Sequence, residues 1–260
     1  ARVKPLIQEA VRQEMPAIAV TDHGNTFAAF EFYNAAKAAG VKPIIGLEAY
    51  VTPGTHRSDK SRVQWGSPDQ KNDDVSGSGA YTHMTLWSQN TAGMHNLFRL
   101  SSLSSMEGYY FKPRMDRELL QTYGSGLIAT TGCPSGEVQT RLRLGQYDAA
   151  RAAAGEFQDI FGKENYFAEI MDHGLSIERR VMTDLLRLAK DLDIPLVATN
   201  DSHYTHQHEA DAHEALLCVQ SGSTLGDPNR FKFDGDGYYI RPSDEMRSLW
   251  SELPGACDST

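Results

Sequence analysis

The chain has 260 residues, 34 acidic against 25 basic, a formal net charge of −9 and ordinary apolar content. That length suits one large α/β domain with a sizeable core. The acidic balance argues against a free-standing nucleic-acid binder, though not against a nuclease whose carboxylates hold metal ions. Three well-separated cysteines, Cys133, Cys218 and Cys257, form no C-x-x-C pair, so a disulfide framework or zinc ribbon is not expected and a reducing cytoplasm is.

In chain order, "ARVKPLIQEA" is amphipathic and helical in pattern, with no signal-peptide core and no initiator methionine, so the chain reads as a fragment. No apolar run is long enough for a membrane span. Six strands are predicted, at Ala17–Asp22, Pro43–Val51, Tyr81–Ser88, Gly126–Thr131, Asn165–Met171 and Pro195–Asn200. Most are continuous β-rich runs, as for strands buried on both faces. Helices are predicted over Thr26–Ala39 with Gly40 closing it, then Thr91–Ser105, Ser135–Phe161, and Ser176–Asp191 with Ser176 at its N-cap. The alternation implies βαβ units and a parallel sheet. Thr52–Ala80, with "DDVSGSG", reads as a surface loop or β-excursion. After His208 come a helix over "HEALLCVQSG", an Asp-Gly hairpin in "DPNRFKFDGDGYYI" and a capped helix start at "SDEMRSLW".

The strand ends carry the chemistry. Asp22-His23 ends the first strand, Glu48 lies in the second, His83 opens the third, Cys133 follows the fourth, Asp172-His173 the fifth, and Asp201 and His203 the sixth. Strand carboxyl ends converge on one face of an α/β barrel. Mixed His, Asp, Glu and Cys donors suit Zn, Mn or Fe, and several ligands with bridging carboxylates suit a multinuclear centre that activates water at a phosphoryl group. Taken singly, each has a plainer reading: turn chemistry for Asp22-His23, a lysine partner for Glu48, a packed histidine at His83, a small buried hydrophobe at Cys133. Their joint placement favours metal. His56, His95, His206, His208 and His213 read as surface residues, His173 as loop support or a phosphate contact, and Arg230 and Lys232 as a solvated strand face. Lys112-Pro113-Arg114 is weighed as a phosphate contact, with the plain structural reading favoured.

The ordered set "TDHGN", "KPIIGLEAYV", "YTHMTL", "TTGCPSGEVQTRL", "MDHGL", "ATNDSHY" and "DPNRFKFDGDGYY" resembles the polymerase and histidinol phosphatase (PHP) domain of bacterial, and especially actinobacterial, DNA polymerase III alpha subunits, across essentially the whole chain. The resemblance implies an α/β fold, a (β/α)7-type barrel over residues 1–208. A helix and hairpin extension over 209–260 would lead to the polymerase core. It implies divalent metals and 3′-to-5′ exonuclease proofreading in the cytoplasm, with primer-template DNA, the sliding clamp and other replisome subunits as partners and no membrane. The implied ligands are His23, Glu48, His83, Cys133, Asp201 and His203, with Asp201 and His203 on one metal and Glu48 bridging; Asp22 and His173 become supporting or substrate-facing candidates. Asp22, His23, Glu48, Asp201 and His203 are the catalytic candidates. The family's first strand carries H-x-H-x-x-Y-S and a following Asp. No such segment occurs here, and "ARVKPLIQEA" resembles the helix after it. An incomplete ligand set and an open strand edge are therefore expected. Two alternatives stand beside the nuclease: a non-catalytic module bracing the polymerase, and a histidinol-phosphate-type phosphatase.

Overall fold

The computed structural model describes residues 1–66 and 76–260, so the "DDV" of "DDVSGSG" lies outside the described residues. Its elements run α1 (Val3–Arg12), β1 (Ala17–Val20), α2 (Ala29–Ala38), β2 (Lys42–Val51), β3 (Thr82–Ser88), α3 (Thr91–Glu107), β4 (Arg114–Met115), α4 (Arg117–Tyr123) and β5 (Leu127–Thr130). Then follow α5 (Glu137–Arg143), α6 (Tyr147–Phe161), β6 (Tyr166–Ile170), α7 (Ser176–Leu192), β7 (Leu196–Ala198), α8 (Ala210–Ser221), α9 (Ser243–Leu249) and α10 (Pro254–Asp258). No helix among the described residues is long and apolar enough to cross a membrane.

The six predicted strands all form and make one curled sheet in the order β1-β2-β3-β5-β6-β7, with the short β4 pairing beside β2. The apolar runs form strands because both faces are covered: most of β2 and nearly all of β6 are buried. Phe32, Leu47, Leu86, Leu100, Leu127, Phe157, Tyr166 and Ile170 are at the heart of the core. At the outer edge, β1 keeps all four residues partly or fully exposed. Among the described residues no strand joins β1 to β7, in line with the open edge expected.

Five expectations need correction. The sheet is mixed, not parallel, because β3 runs antiparallel to both β2 and β5. A parallel return needs a long crossover, usually a helix. The described part of the Thr52–Ala80 link holds only a one-turn 3-10 segment, Ser76–Gly79. The helix predicted over Ser135–Phe161 is two, broken around Gly145. Ser176 is the first residue of α7 rather than its cap. Glu178 reaches back instead, and its Oε2 accepts from Leu175 N at 3.2 Å and His173 N at 2.8 Å. Likewise α9 starts after Pro242 without a side-chain cap.

The fifth correction is the hairpin: no strands form between Asp227 and Ile240. Its backbone pairs instead with the loop after β7. His203 N donates to Tyr238 O at 2.8 Å, Ile240 N to Thr205 O at 3.2 Å, and Asn200 Nδ2 to the carbonyls of Gly237 and Tyr239 at 2.9 and 2.7 Å. Tertiary partners thus satisfy the groups that a ladder would have used. This segment walls one side of the strand-end face.

A candidate metal centre at the strand ends

The first wall is built by backbone register. β1 pairs with β2 in parallel up to Val20 opposite Ile45. The ladder continues past the strand, with Glu48 N donating to Asp22 O at 3.0 Å and Gly24 N to Glu48 O at 2.9 Å. His23 is thereby fixed beside Glu48. Gly24 has φ +67°, and a Cβ there would lie 2.8 Å from both Pro113 Cγ and Tyr50 Cε2, so only glycine lets the chain turn this tightly behind His23. Asp22 supports the same turn: its Oδ2 accepts from Ala28 N at 2.7 Å as the chain enters α2.

The antiparallel β3 brings in the next ligand. Tyr50, late in β2, is opposite His83, early in β3. The start of an antiparallel strand shares a face with the ends of parallel ones, so His83 joins the others although it opens its strand. His83 Nδ1 is 2.5 Å from Glu48 Oε1, and His23 Nε2 is 3.2 Å from Glu48 Oε2. His83 N donates to Ser135 O at 3.0 Å, which draws in the turn after β5. Cys133 Sγ then lies 3.7 Å from His83 Nδ1 and 3.9 Å from Glu48 Oε1. From beyond β7, His203 Nε2 meets Asp201 Oδ1 at 3.3 Å, and the His203 ring centroid is 6.0 Å from that of His23. Glu48, His83 and Cys133 thus form one tight group, with His23 against Glu48 and the Asp201–His203 pair beyond the His23 ring.

The electrostatics suit a cation. Burial, then the Glu48 and Asp201 carboxylates, push the Cys133 thiol well above its ordinary range. Without a cation the thiol stays protonated and donates toward Glu48; a bound cation reverses this. Burial also pushes the Asp201 carboxyl upward, but the hydrogen bond and charge of His203, with His173 and His23 beyond, leave it below the usual value. Donors 2.0–2.3 Å from one tetrahedral ion stand roughly 3.3–3.7 Å apart. The Cys133–His83 and Cys133–Glu48 separations of 3.7 and 3.9 Å are close to that. The His83–Glu48 edge of 2.5 Å is shorter because a hydrogen bond closes it. The donor set fits a divalent ion.

Other candidates part company with this group. His173 is buried, with Nδ1 2.6 Å from Glu178 Oε1 and its ring stacked on Tyr238 at 4.3 Å; it organises the loop before α7. His213 is not a plain surface residue, since its ring lies 5.3 Å from that of His203. Arg230 pairs with Glu214 at 2.5 Å rather than lying on a solvated strand. Arg114 is fully buried and donates to the carbonyls of Gly108, Ala80, Arg57 and Asp59, which leaves nothing for phosphate. A second cluster, His56, Asp116 and Glu118, already holds a cation, because Arg57 Nη1 lies 3.1 Å from each carboxylate.

One residue escaped sequence reasoning. Glu169, buried in β6, accepts from Thr85 Oγ1 at 3.0 Å, Thr130 Oγ1 at 2.5 Å and Thr199 Oγ1 at 2.7 Å. It ties β3, β5 and the end of β7 together in the sheet's interior. The signal was present, since Glu169 interrupts the apolar run "YFAEI" as Glu48 interrupts "GLEAY".

The family profile of the PHP domain matches residues 1–173. DNA polymerase III subunit alpha of Mycobacterium tuberculosis is 58% identical over 262 residues, covering 100% of this chain and 22% of that protein. The same subunit of Saccharopolyspora erythraea is 59% identical over 268 residues, again covering 100% and 22%. That of Thermus aquaticus is 43% identical over 239 residues, covering 92% of this chain and 18% of that protein. The chain therefore spans 22% or less of the length of these three relatives.

Proposed function

The chain belongs to the PHP domain family, and we propose that it is the PHP segment of a bacterial replicative DNA polymerase alpha subunit, a metal-dependent phosphodiesterase that trims the 3′ end of a primer. The observation that carries this reading is Glu48, whose two carboxylate oxygens face two different imidazoles, His83 at 2.5 Å and His23 at 3.2 Å. A carboxylate so placed suits a bridge between two cations. Cys133 would help hold the one on the His83 side, and Asp201 with His203 the other. Zinc, manganese and iron(II) all suit such a donor mixture. Bound there, the ions supply an acidified water and neutralise charge on the phosphoryl oxygens.

The chain's own residues set up that chemistry. Glu48 holds the His83 and His23 rings in one orientation, and Asp22 fixes the turn that carries His23. Tyr50 packs edge-on against His83, with ring centroids 5.1 Å apart. Residues 1–208 form the phosphoesterase unit, and residues 209–260 lead toward the polymerase core. The partners are primer-template DNA, the sliding clamp and other replisome subunits in the cytoplasm.

The test is metal-dependent release of nucleotides from a mismatched primer end by the full-length subunit. Chelation should abolish release, and His23→Ala or Asp201→Asn should reduce it at least about a hundredfold. Unchanged release in either variant overturns the proposal. Loss of stability on chelation, with no release at saturating metal, selects the bracing module instead. Preference for a phosphomonoester selects the histidinol-phosphate-type phosphatase.

A further inference from the structure

The turn Tyr110–Pro113 belongs to none of the elements that carry the metal donors, yet it leans on them. Pro113 Cγ is 2.8 Å from where a Cβ on Gly24 would be, directly behind His23. Lys112 Nζ is 5.5 Å from the centroid of the Tyr50 ring. That ring is itself 5.1 Å from His83 and 6.4 Å from His23. One aromatic ring thus separates the ammonium from two metal-competent imidazoles.

Lys112 differs from the cations around it. Arg57 is paired with Glu107, Asp116 and Glu118, Arg117 with Glu137 and Glu156, and Arg114 is spent on four backbone carbonyls. Lys112 has no carboxylate partner among the described residues; its one side-chain contact of note is the face of Tyr50. In a chain with a formal charge of −9, an unpaired ammonium at the rim of a carboxylate-rich site is an anion contact in waiting.

The backbone shows why the turn is built this way. Phe111 has φ +62°, a left-handed conformation that a bulky non-glycine residue adopts only under constraint. Tyr110 N donates to Lys112 O at 3.1 Å and closes the turn, while Arg114 Nε holds Gly108 O from below at 3.0 Å. The strained residue turns Lys112 toward Tyr50 and leaves the Phe111 ring 60% exposed. The guanidinium of Arg62 lies 5.4 Å from that ring. Phe111 is thus an exposed aromatic, packed on Tyr110 at 4.5 Å, with one guanidinium near its ring and the Lys112 ammonium next to it in the chain; that chemistry takes a nucleotide, with the base stacked on the ring and the phosphate drawn to the charge.

We propose that Lys112 and Phe111 form the subsite for the terminal nucleotide of a single-stranded nucleic-acid end, Lys112 contacting its phosphodiester and Phe111 stacking on its base. This rests on the phosphodiesterase reading above. The experiment uses the full-length subunit, with the p-nitrophenyl ester of thymidine 5′-monophosphate as substrate and inorganic phosphate as competitor. Lys112→Met keeps the stem on Tyr50 and removes the charge. It should raise KM and the phosphate inhibition constant about tenfold each, with the loss falling on KM rather than kcat, as for one charge-assisted contact. Lys112→Arg should restore most of both. Phe111→Ala should raise KM several-fold and leave phosphate inhibition unmoved, because phosphate has no base. Thermal unfolding of each variant checks that it is folded. If Lys112→Met leaves KM and phosphate inhibition within twofold while His23→Ala is inactive, the subsite is wrong and the phosphodiesterase reading stands. A wild-type subunit that neither hydrolyses the ester nor binds phosphate overturns both.

Discussion

Arg114 offers a direct test of whether a cation near the site serves the fold or the substrate. It is 0% exposed, and its guanidinium donates to four carbonyls: Gly108 at 3.0 Å, Ala80 at 3.2 Å, Arg57 at 2.8 Å and Asp59 at 2.9 Å. Three of these belong to the link between β2 and β3, and the fourth ends α3. Arg114→Met fills nearly the same volume and removes every donor. Hydrogen bonds to a charged group contribute about 1.5–3 kcal/mol each, so the gross loss is about 6–12 kcal/mol. Freedom from burying a guanidinium offsets several kcal/mol of that. Water reaching the loop carbonyls offsets more, leaving a net destabilisation of about 3–4 kcal/mol. In urea, at a slope of about 3 kcal/mol per M for a chain of this size, the midpoint should fall by about 1 M. Emission from Trp65, Trp87 and Trp250 reads the transition. Arg114→Lys retains the charge and three donors, and should lose about half as much. A midpoint lowered by less than about 0.3 M, accompanied by loss of phosphate binding, would refute the structural reading and make Arg114 a substrate contact.

Two further predictions follow from buried carboxyls. Glu169→Ala leaves three threonine hydroxyls without their shared acceptor and opens a void, so it should destabilise by about 3–5 kcal/mol. Burial raises the Glu169 carboxyl above its ordinary value despite those hydroxyls. Its contribution is therefore fullest at acid pH and declines as pH rises through the raised pKa. Glu169→Gln, which mimics the protonated acid, should gain on wild type in unfolding free energy from pH 5 to pH 8, and a constant difference across that range would disprove it. Glu9 behaves oppositely. The hydrogen bond from Arg12 holds its carboxyl at about 2, against the opposing effect of burial. Its stabilisation is present above the unfolded value near 4.3 and is lost as pH falls toward 2. Because Arg12 is 67% exposed, screening limits this to about 1 kcal/mol. Glu9→Gln should cost that much at pH 7 and nothing near pH 2, measured by urea unfolding at each pH.

Most of the six strands were legible because burial on both faces demands continuous apolar runs, and a charged residue inside such a run stands out. That logic found Glu48, and applied evenly it would have found Glu169. It failed at Asp227–Ile240, where Asp-Gly turn chemistry suggests a hairpin but the backbone pairs with the loop at 200–205. At Lys112 and Arg114, two residues apart in one short basic run, the plain structural reading held for Arg114, while nothing local in the sequence separated the two. One faces the aromatic rim of the site and the other is clamped inside the fold.

The sequence alone determined which segments become strands and which donor side chains stand at their ends, since both depend on local pattern. Only the tertiary structure decided which of those side chains meet. It ran β3 antiparallel and so brought His83 to the shared face, set Glu48 between His83 and His23, and committed His173 to Glu178. Strand direction and register rest on backbone hydrogen bonds between segments far apart in the chain, and no local period encodes them.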